Sequence, residues 1–216
     1  MVKIECYPLG ELQANCYFVY DEQNDISLLV DPGAESEILE NRIDEFGSKK
    51  LKYILLTHGH FDHIGNAAHL KKKYPDAKIV IGEGDSEFTT NDSLNLSVFF
   101  GGTTDHFSAD ILVNDKSELE FGENKIYVVE TPGHTRGGVC YRIDDNLFTG
   151  DTIMSRTTGR MDFPTGNSRE MYDSVQKIAT IKENLNLFCG HGASTTLDYE
   201  KTHNIAMGNI RYDDLY

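Results

Sequence analysis

Three histidines and an aspartate lie within six residues, in the segment Thr57-His58-Gly59-His60-Phe61-Asp62-His63, directly after the apolar run at residues 53–56. Imidazole nitrogens and carboxylate oxygens together suit zinc, iron or manganese. A regular helix cannot turn all four side chains toward one ion, because only residues three or four apart share a helix face. We therefore expect an irregular metal-binding loop at the end of a strand, where Gly59 gives the backbone room to bend.

Three ligand-type residues in the second half follow strand-like apolar runs in the same way. His134, Asp151 and His191 each come after such a run and a turn that contains glycine. Together with the first cluster they make seven nitrogen or oxygen donors, which is too many for one tetrahedral zinc. Seven donors suit two metal ions about 3.5–4 Å apart with one carboxylate between them.

Apolar patterning predicts an α/β protein. Runs rich in β-branched and aromatic residues predict strands at 2–9, 14–20, 26–30, 51–56, 78–81, 111–113, 117–121, 125–130, 139–143, 147–149 and 187–189. Helical spacing predicts helices over 35–46, 66–74 and 198–207, and a further one with Asn167 as its N-cap. Because both halves alternate strands with helices, we expect two packed sheets with helices outside. With no repeat or linker in view, residues 1–216 are expected to form a single domain.

Residues 83–109 follow no regular pattern and are mostly polar. A segment of this length inside a compact domain is often a lid or a binding loop. Phe99 and Phe100 within it either cover a site or pack back onto the core. His106 lies outside any ligand spacing, so we expect it to be solvated.

Composition limits the choice of partner and compartment. With 20 basic and 35 acidic residues the formal charge is −15, which argues against binding of nucleic acid. No apolar run is long enough to span a bilayer, and no secretory signal pattern is present. The four cysteines form no C-x-x-C pair and are expected to be reduced. We therefore expect a cytoplasmic protein that binds neither nucleic acid nor membrane; the sequence carries no signal for its oligomeric state.

The spacing His58-x-His60-x-Asp62-His63 with the three later donors resembles the metallo-β-lactamase superfamily. That resemblance implies an αβ/βα sandwich of two mixed β-sheets with helices on the outer faces. It implies that one metal is held by His58, His60 and His134 and the other by Asp62, His63 and His191, with Asp151 as the bridge. Asp31, in the phrase Val30-Asp31-Pro32-Gly33, is similar to the superfamily's first motif, which lies behind the ligands.

Four phrases, at residues 131–135, 148–152, 159–164 and 190–192, look most like glyoxalase II. The resemblance implies hydrolysis of S-lactoylglutathione or a related hydroxyacyl thioester by metal-bound hydroxide, with two divalent ions, zinc in the first place and iron or manganese as alternatives. Only 25 residues follow His191, too few for the helical C-terminal domain of full-length members. The chain therefore resembles the short, single-domain branch, with a small-molecule thioester as its expected partner.

Roles for individual residues follow from this resemblance. Asp62 and Asp151 are the expected catalytic carboxylates, because they would hold the metals that activate water. Arg156 and Arg160 are expected to bind a substrate carboxylate, with a structural ion pair as the alternative for each. The competing function is a persulfide dioxygenase on the same fold, with a single iron held by two histidines and one aspartate.

Overall fold

The computed structural model of the protein describes residues 2–208, so residues 1 and 209–216 of the expected domain lie outside the described part. Within it, strands form two six-stranded sheets. The first sheet has the order β1-β2-β3-β4-β5-β6, with β1 at Lys3–Leu9, β2 at Ala14–Asp21, β3 at Ile26–Val30, β4 at Leu51–Leu56, β5 at Lys78–Gly82 and β6 at Ile111–Val113. Its first three strands are antiparallel, and β3 to β6 are parallel.

The second sheet has the order β12-β11-β10-β9-β8-β7. Its strands are β7 at Glu118–Phe121, β8 at Asn124–Glu130, β9 at Val139–Ile143, β10 at Asn146–Gly150, β11 at Asn186–Cys189 and β12 at Thr195–Thr196. The pair β10–β11 is parallel and the others are antiparallel. Both sheets are therefore mixed, as predicted.

The α-helices are α1 at Glu37–Phe46, α2 at Phe61–Ile64, α3 at Ala67–Lys73, α4 at Ser168–Ala179 and α5 at Leu197–His203. The predicted N-cap of α4 is confirmed, because the side chain of Asn167 accepts from the backbone N–H groups of Arg169 and Glu170. The predicted helix over 198–207 is shorter than expected. It ends at His203, since Asn204 has extended backbone angles.

Successive side chains of a strand point to opposite faces of the sheet, and this explains the layers. In β4, Tyr53 and Leu55 pack between the two sheets, whereas Ile54 and Leu56 pack under α1 and α3. A strand buried on both faces reads as a continuous apolar run, which is why no alternation is visible in its sequence. The second sheet is covered in turn by α4, whose Met171 belongs to a third apolar cluster. The αβ/βα sandwich is therefore confirmed.

The cysteines and the helix lengths of the described residues bear on the expectations from composition. The four cysteines are free, and Cys16, Cys140 and Cys189 are buried while Cys6 is exposed. Between residues 2 and 208 no helix has the length and apolar character that crossing a membrane requires.

Candidate metal centre

The seven predicted ligands meet at one edge of the sandwich, where strands of both sheets end. His58 and His60 follow β4, Asp151 follows β10 and His191 follows β11. The two sheets are joined there by Asn15, whose side-chain amide donates to the carbonyls of Cys189 (3.0 Å) and Gly192 (2.9 Å). Parallel strands place their carboxyl ends together, so residues far apart in sequence come into one cluster.

His58, His60 and His134 form the first trio, and their ligand atoms all lie within 4.8 Å of one another. Nδ1 of His60 is 2.9 Å from Nε2 of His134, and Nδ1–H of His134 donates to the carbonyl of Arg160 at 2.6 Å. Burial, and next the neighbouring histidines, hold the pKa of His58 and of His60 well below the usual value. These two imidazoles are therefore neutral, the form that binds a metal.

Asp62, His63 and His191 form the second trio. Nε2 of His191 lies 3.3 Å from the Asp62 carboxylate and 3.4 Å from Nε2 of His63. Burial by itself would lower the pKa of His63, but Asp62 and Asp31 outweigh it and raise that pKa to about 10. Burial would likewise raise the pKa of Asp62, yet His63 and His191 hold it well below the usual value. The carboxylates around the second trio thus favour a positive charge there.

Asp151 lies between the trios. Its Oδ2 is 3.5 Å from Nε2 of His134 and 3.8 Å from Nε2 of His191, and its Oδ1 is 3.8 Å from Nε2 of His63. Gly190 provides the space, because a Cβ there would lie 2.2 Å from Oδ1 of Asp151. The carboxylate predicted as the bridge is therefore the group next to both trios.

Three donor atoms of the cluster lack hydrogen-bond partners, and this fits a metal site. Nε2 of His58, Nε2 of His60 and Oδ1 of Asp151 are buried without any hydrogen-bond partner. A buried polar atom left unpaired costs stability, so three in one cluster need an explanation. A cation bound by imidazole nitrogen and carboxylate oxygen provides one.

The expected irregular loop is confirmed for His58 and His60 but is wrong for the rest of the cluster. Asp62 and His63 lie on the short helix α2, which begins because the backbone N–H groups of His63 and Ile64 donate to the carbonyl of His60. The role expected for Gly59, room for the backbone to bend, is also wrong. Its φ is not in the left-handed region; instead, a Cβ there would meet the Phe88 ring carbons at 2.5–2.7 Å.

Asp31 lies behind the second trio, where the sequence places it. Its carboxylate accepts from the backbone N–H and the hydroxyl of Thr57, at 2.7 and 2.6 Å, and from Nδ1–H of His63 at 3.0 Å. The bond to His63 fixes the ring so that Nε2 faces the cluster, a common role for carboxylates behind metal-binding histidines. Asp31 has a φ of 52°, which aspartate tolerates better than most residues.

A cavity of about 550 Å³ opens above the cluster. Arg160 lines it, lies 4.1 Å from the centre of the Phe163 ring and makes a two-pronged ion pair with Asp162 at 2.7 and 2.6 Å. Arg156 is not among the lining residues; its side chain is exposed and its backbone N–H donates to Glu200. The structure thus brings one of the two predicted arginines to the cavity.

The segment 83–109 contributes to the cavity wall. It contains two 3₁₀ helices, Glu83–Thr90 and Ser97–Phe100, which its polar sequence did not reveal. Phe100 lines the cavity and packs on Phe61 with ring centres 4.9 Å apart, whereas Phe99 is 70% exposed. His106 is half exposed and lies 3.3 Å from Asp92.

Several residues of the site carried no readable sequence signal. Leu12 and Met154 line the cavity from a turn and a loop, where a single apolar residue has no period to mark it. Asp85 is fully buried beside the first trio, although it lies in a polar stretch that reads as surface. Phe163 belongs to the segment 159–164, which resembles glyoxalase II, but its place beside His60 is visible only in the structure.

The family model described as the metallo-beta-lactamase superfamily matches residues 9–191, a range that contains all seven predicted ligands and Asp31. The chain belongs to the metallo-beta-lactamase superfamily. Superfamily members bind metal ions, and the His/Asp clusters of this chain agree with that membership.

Three named proteins resemble the chain over nearly its whole length. The hydroxyacylglutathione hydrolase GloC of Haemophilus influenzae is 32% identical over 209 residues, which cover 94% of this chain and 97% of that protein. The crystal structure of the BLEG-1 B3 metallo-beta-lactamase has a TM-score of 0.87 at 28% identity and covers 96% of this chain and 100% of its own. That of TTHA1623 in a di-iron-bound form has a TM-score of 0.81 at 26% identity, with 93% and 98% covered.

Proposed function

We propose that this protein is a dinuclear metal-dependent hydrolase that cleaves hydroxyacyl thioesters of the S-lactoylglutathione type. The observation that carries the proposal is the position of Asp151, whose Oδ2 lies beside His134 of the first trio and His191 of the second, while its Oδ1 lies beside His63. Similarity to the hydroxyacylglutathione hydrolase GloC supports the thioester substrate. Similarity to a protein crystallised in a di-iron-bound form supports two metal ions.

The residues divide the chemical work among them. His58, His60 and His134 would hold one ion, Asp62, His63 and His191 the other, and Asp151 both. When bound, two such ions supply a hydroxide at neutral pH and stabilise the oxyanion that develops on the carbonyl. No serine or cysteine is among the residues that line the cavity, so its walls offer no hydroxyl or thiol nucleophile for an acyl-enzyme route. A thiolate leaves without a strong general acid, because ordinary thiols have a pKa near 8.5.

The cavity wall suits a substrate with an apolar part and an anionic part. Leu12, Phe61 and Phe100 present an apolar surface on one side. Arg160, whose guanidinium lies 4.1 Å from the centre of the Phe163 ring, also lines the cavity, and its side chain is 60% exposed. A substrate carboxylate could bind to this guanidinium in place of Asp162, which is itself exposed and would return to water.

Thioester hydrolysis and metal content, measured together, test the proposal. Protein loaded with zinc, iron or manganese is assayed on S-lactoylglutathione, on acyl thioesters without glutathione, on lactones and on a β-lactam. We expect thioesters to be cleaved fastest, with about two metals per chain. Asp151→Ala should lose metal and activity together, whereas Asp76→Ala, a change at an exposed aspartate outside the site, should lose neither.

The same measurements can contradict the proposal. One iron per chain with oxygen consumption on a persulfide would show the dioxygenase instead. A fully loaded, fully active Asp151→Ala protein would contradict the role of Asp151 as the bridge.

A further inference from the structure

We propose that Asp85 is a positioning residue that fixes the two loops carrying the first trio relative to each other. Asp85 follows β5, and its side chain is completely buried. Its Oδ2 accepts from the backbone N–H of Gly59 at 2.9 Å and from the hydroxyl of Thr135 at 2.6 Å. Its Oδ1 accepts from the backbone N–H of Gly137 at 2.8 Å.

The three donors come from the segments that carry the first trio. Gly59 separates His58 from His60, and Thr135 directly follows His134. One carboxylate therefore connects the loop after β4 to the loop before β9. Because the two loops belong to different sheets, this connection, together with the hydrogen bond from the Val139 N–H to the Thr57 carbonyl, sets the distance between His60 and His134.

Close backbone approach allows one short side chain to reach both loops. A Cβ on Gly137 would lie 2.1 Å from the backbone nitrogen of Asp85, and one on Gly84 would lie 2.8 Å from Cα of Gly137. Burial of a carboxylate is unfavourable unless donors compensate it, and here three donors do so. An ionised carboxylate only accepts hydrogen bonds, so it matches three donors where an amide or an apolar side chain would not.

Asp85 is to the first trio what Asp31 is to the second. Asp31 contacts a ligand directly through Nδ1 of His63, whereas Asp85 contacts the backbone beside the ligands. Partners behind a metal site typically change metal affinity 10–100-fold when they are removed. We expect the effect of Asp85 to be confined to the metal that the first trio would hold.

Metal titration of the full-length, metal-free protein with Co²⁺ and with Zn²⁺ tests this role. Asp85→Asn should weaken one of the two binding steps about 10–100-fold and leave the other within about twofold. Thr135→Val, which removes one donor and keeps the shape, should weaken the same step. Thr135→Ser, which keeps the hydroxyl, should restore it.

Asp21→Asn is the matched control. Asp21 is also buried, accepts from the backbone N–H groups of Gln23 and Asn24, and lies at the end of β2 remote from the metal ligands. This variant should lower the unfolding midpoint without changing either metal affinity. Equal metal affinities for Asp85→Asn and the unsubstituted protein would overturn the proposal, as would an Asp21→Asn variant with the same loss.

The role of Asp85 can be tested even if Asp85→Asn does not fold, and even if the proposed substrate is wrong. If Asp85→Asn does not fold, the Thr135→Val and Thr135→Ser pair decides, and equal metal affinity in that pair overturns the proposal. The inference rests on the metal centre of the proposed function but not on its substrate. A protein that binds two metals and cleaves no thioester would contradict the proposed function and leave the role of Asp85 intact.

Discussion

Gly190 sets how closely Asp151 approaches the second trio. A Cβ at this position would lie 2.2 Å from Oδ1 of Asp151, 2.9 Å from the carbonyl carbon of Gly150 and 2.9 Å from Cε1 of His63. Backbone cannot move away cheaply, but a carboxylate can rotate about its side-chain bonds. A methyl group at residue 190 would therefore displace the Asp151 carboxylate rather than unfold the chain.

Gly190→Ala should thus retain the fold and lose metal. We expect near-native circular dichroism, a fall in bound metal of tenfold or more at limiting concentration, and a parallel fall in activity. Gly192→Ala is the control, since its Cβ would meet nothing within 4 Å. Its φ of 72° makes alanine cost roughly 1–2 kcal/mol of stability, with metal content unchanged. Wild-type metal content in Gly190→Ala would refute the spatial argument.

Contacts between elements hold α1 to the first sheet. Arg42 of α1 makes hydrogen bonds of 2.9–3.1 Å to the carboxylate of Glu5 on β1, and its guanidinium lies 4.9 Å from the centre of the Tyr20 ring. The hydroxyl of Tyr7 donates to the same carboxylate at 2.6 Å. Burial by itself would raise the pKa of Glu5, but the bonds from Arg42 and Tyr7 outweigh it and lower that pKa.

This lowered pKa gives a pH dependence with a definite sign. Because folding lowers the pKa of Glu5 from its ordinary value of 4.5, the contribution of Glu5 to stability is fully present above that pH. It is lost as the pH falls through the folded pKa. The unfolding midpoint of Glu5→Gln should lie below that of the unsubstituted protein at pH 7, and the gap should close toward pH 3. A gap that is constant from pH 7 to pH 3 would contradict the argument.

At the scale of the whole molecule, the candidate ligands come from both sheets. His58, His60 and the residues of α2 follow the first sheet, while His134, Asp151 and His191 follow strands of the second. Three apolar clusters, one between the sheets and one under each helical layer, form the core independently of the ligands. A bound metal would therefore add a link between sheets that are already packed.

Metal removal should lower stability without unfolding the protein. A ligand at 1,000 times its dissociation constant stabilises by about 4 kcal/mol, and 1 kcal/mol shifts the melting temperature by about 2–4 °C in a chain of this size. We expect chelator to lower the melting temperature by roughly 8–16 °C while far-UV circular dichroism at 25 °C stays unchanged. Asp151→Ala should melt at the same temperature with and without chelator. Loss of the circular dichroism signal on chelation would show that the core depends on metal.

Sequence by itself determined the candidate ligands and the layered fold of this protein. Metal chemistry permits few residue types, and strands buried on both faces need continuous apolar runs. Both features can therefore be recognised in short stretches of the sequence. Tertiary structure alone decided the rest: the helical turn that carries Asp62 and His63, the closed space at Gly59 and Gly190, and the burial of Asp85. These depend on contacts between segments distant in the chain, as when Gly59 meets Phe88 or Asp85 meets Thr135 and Gly137, and no local pattern encodes such distances.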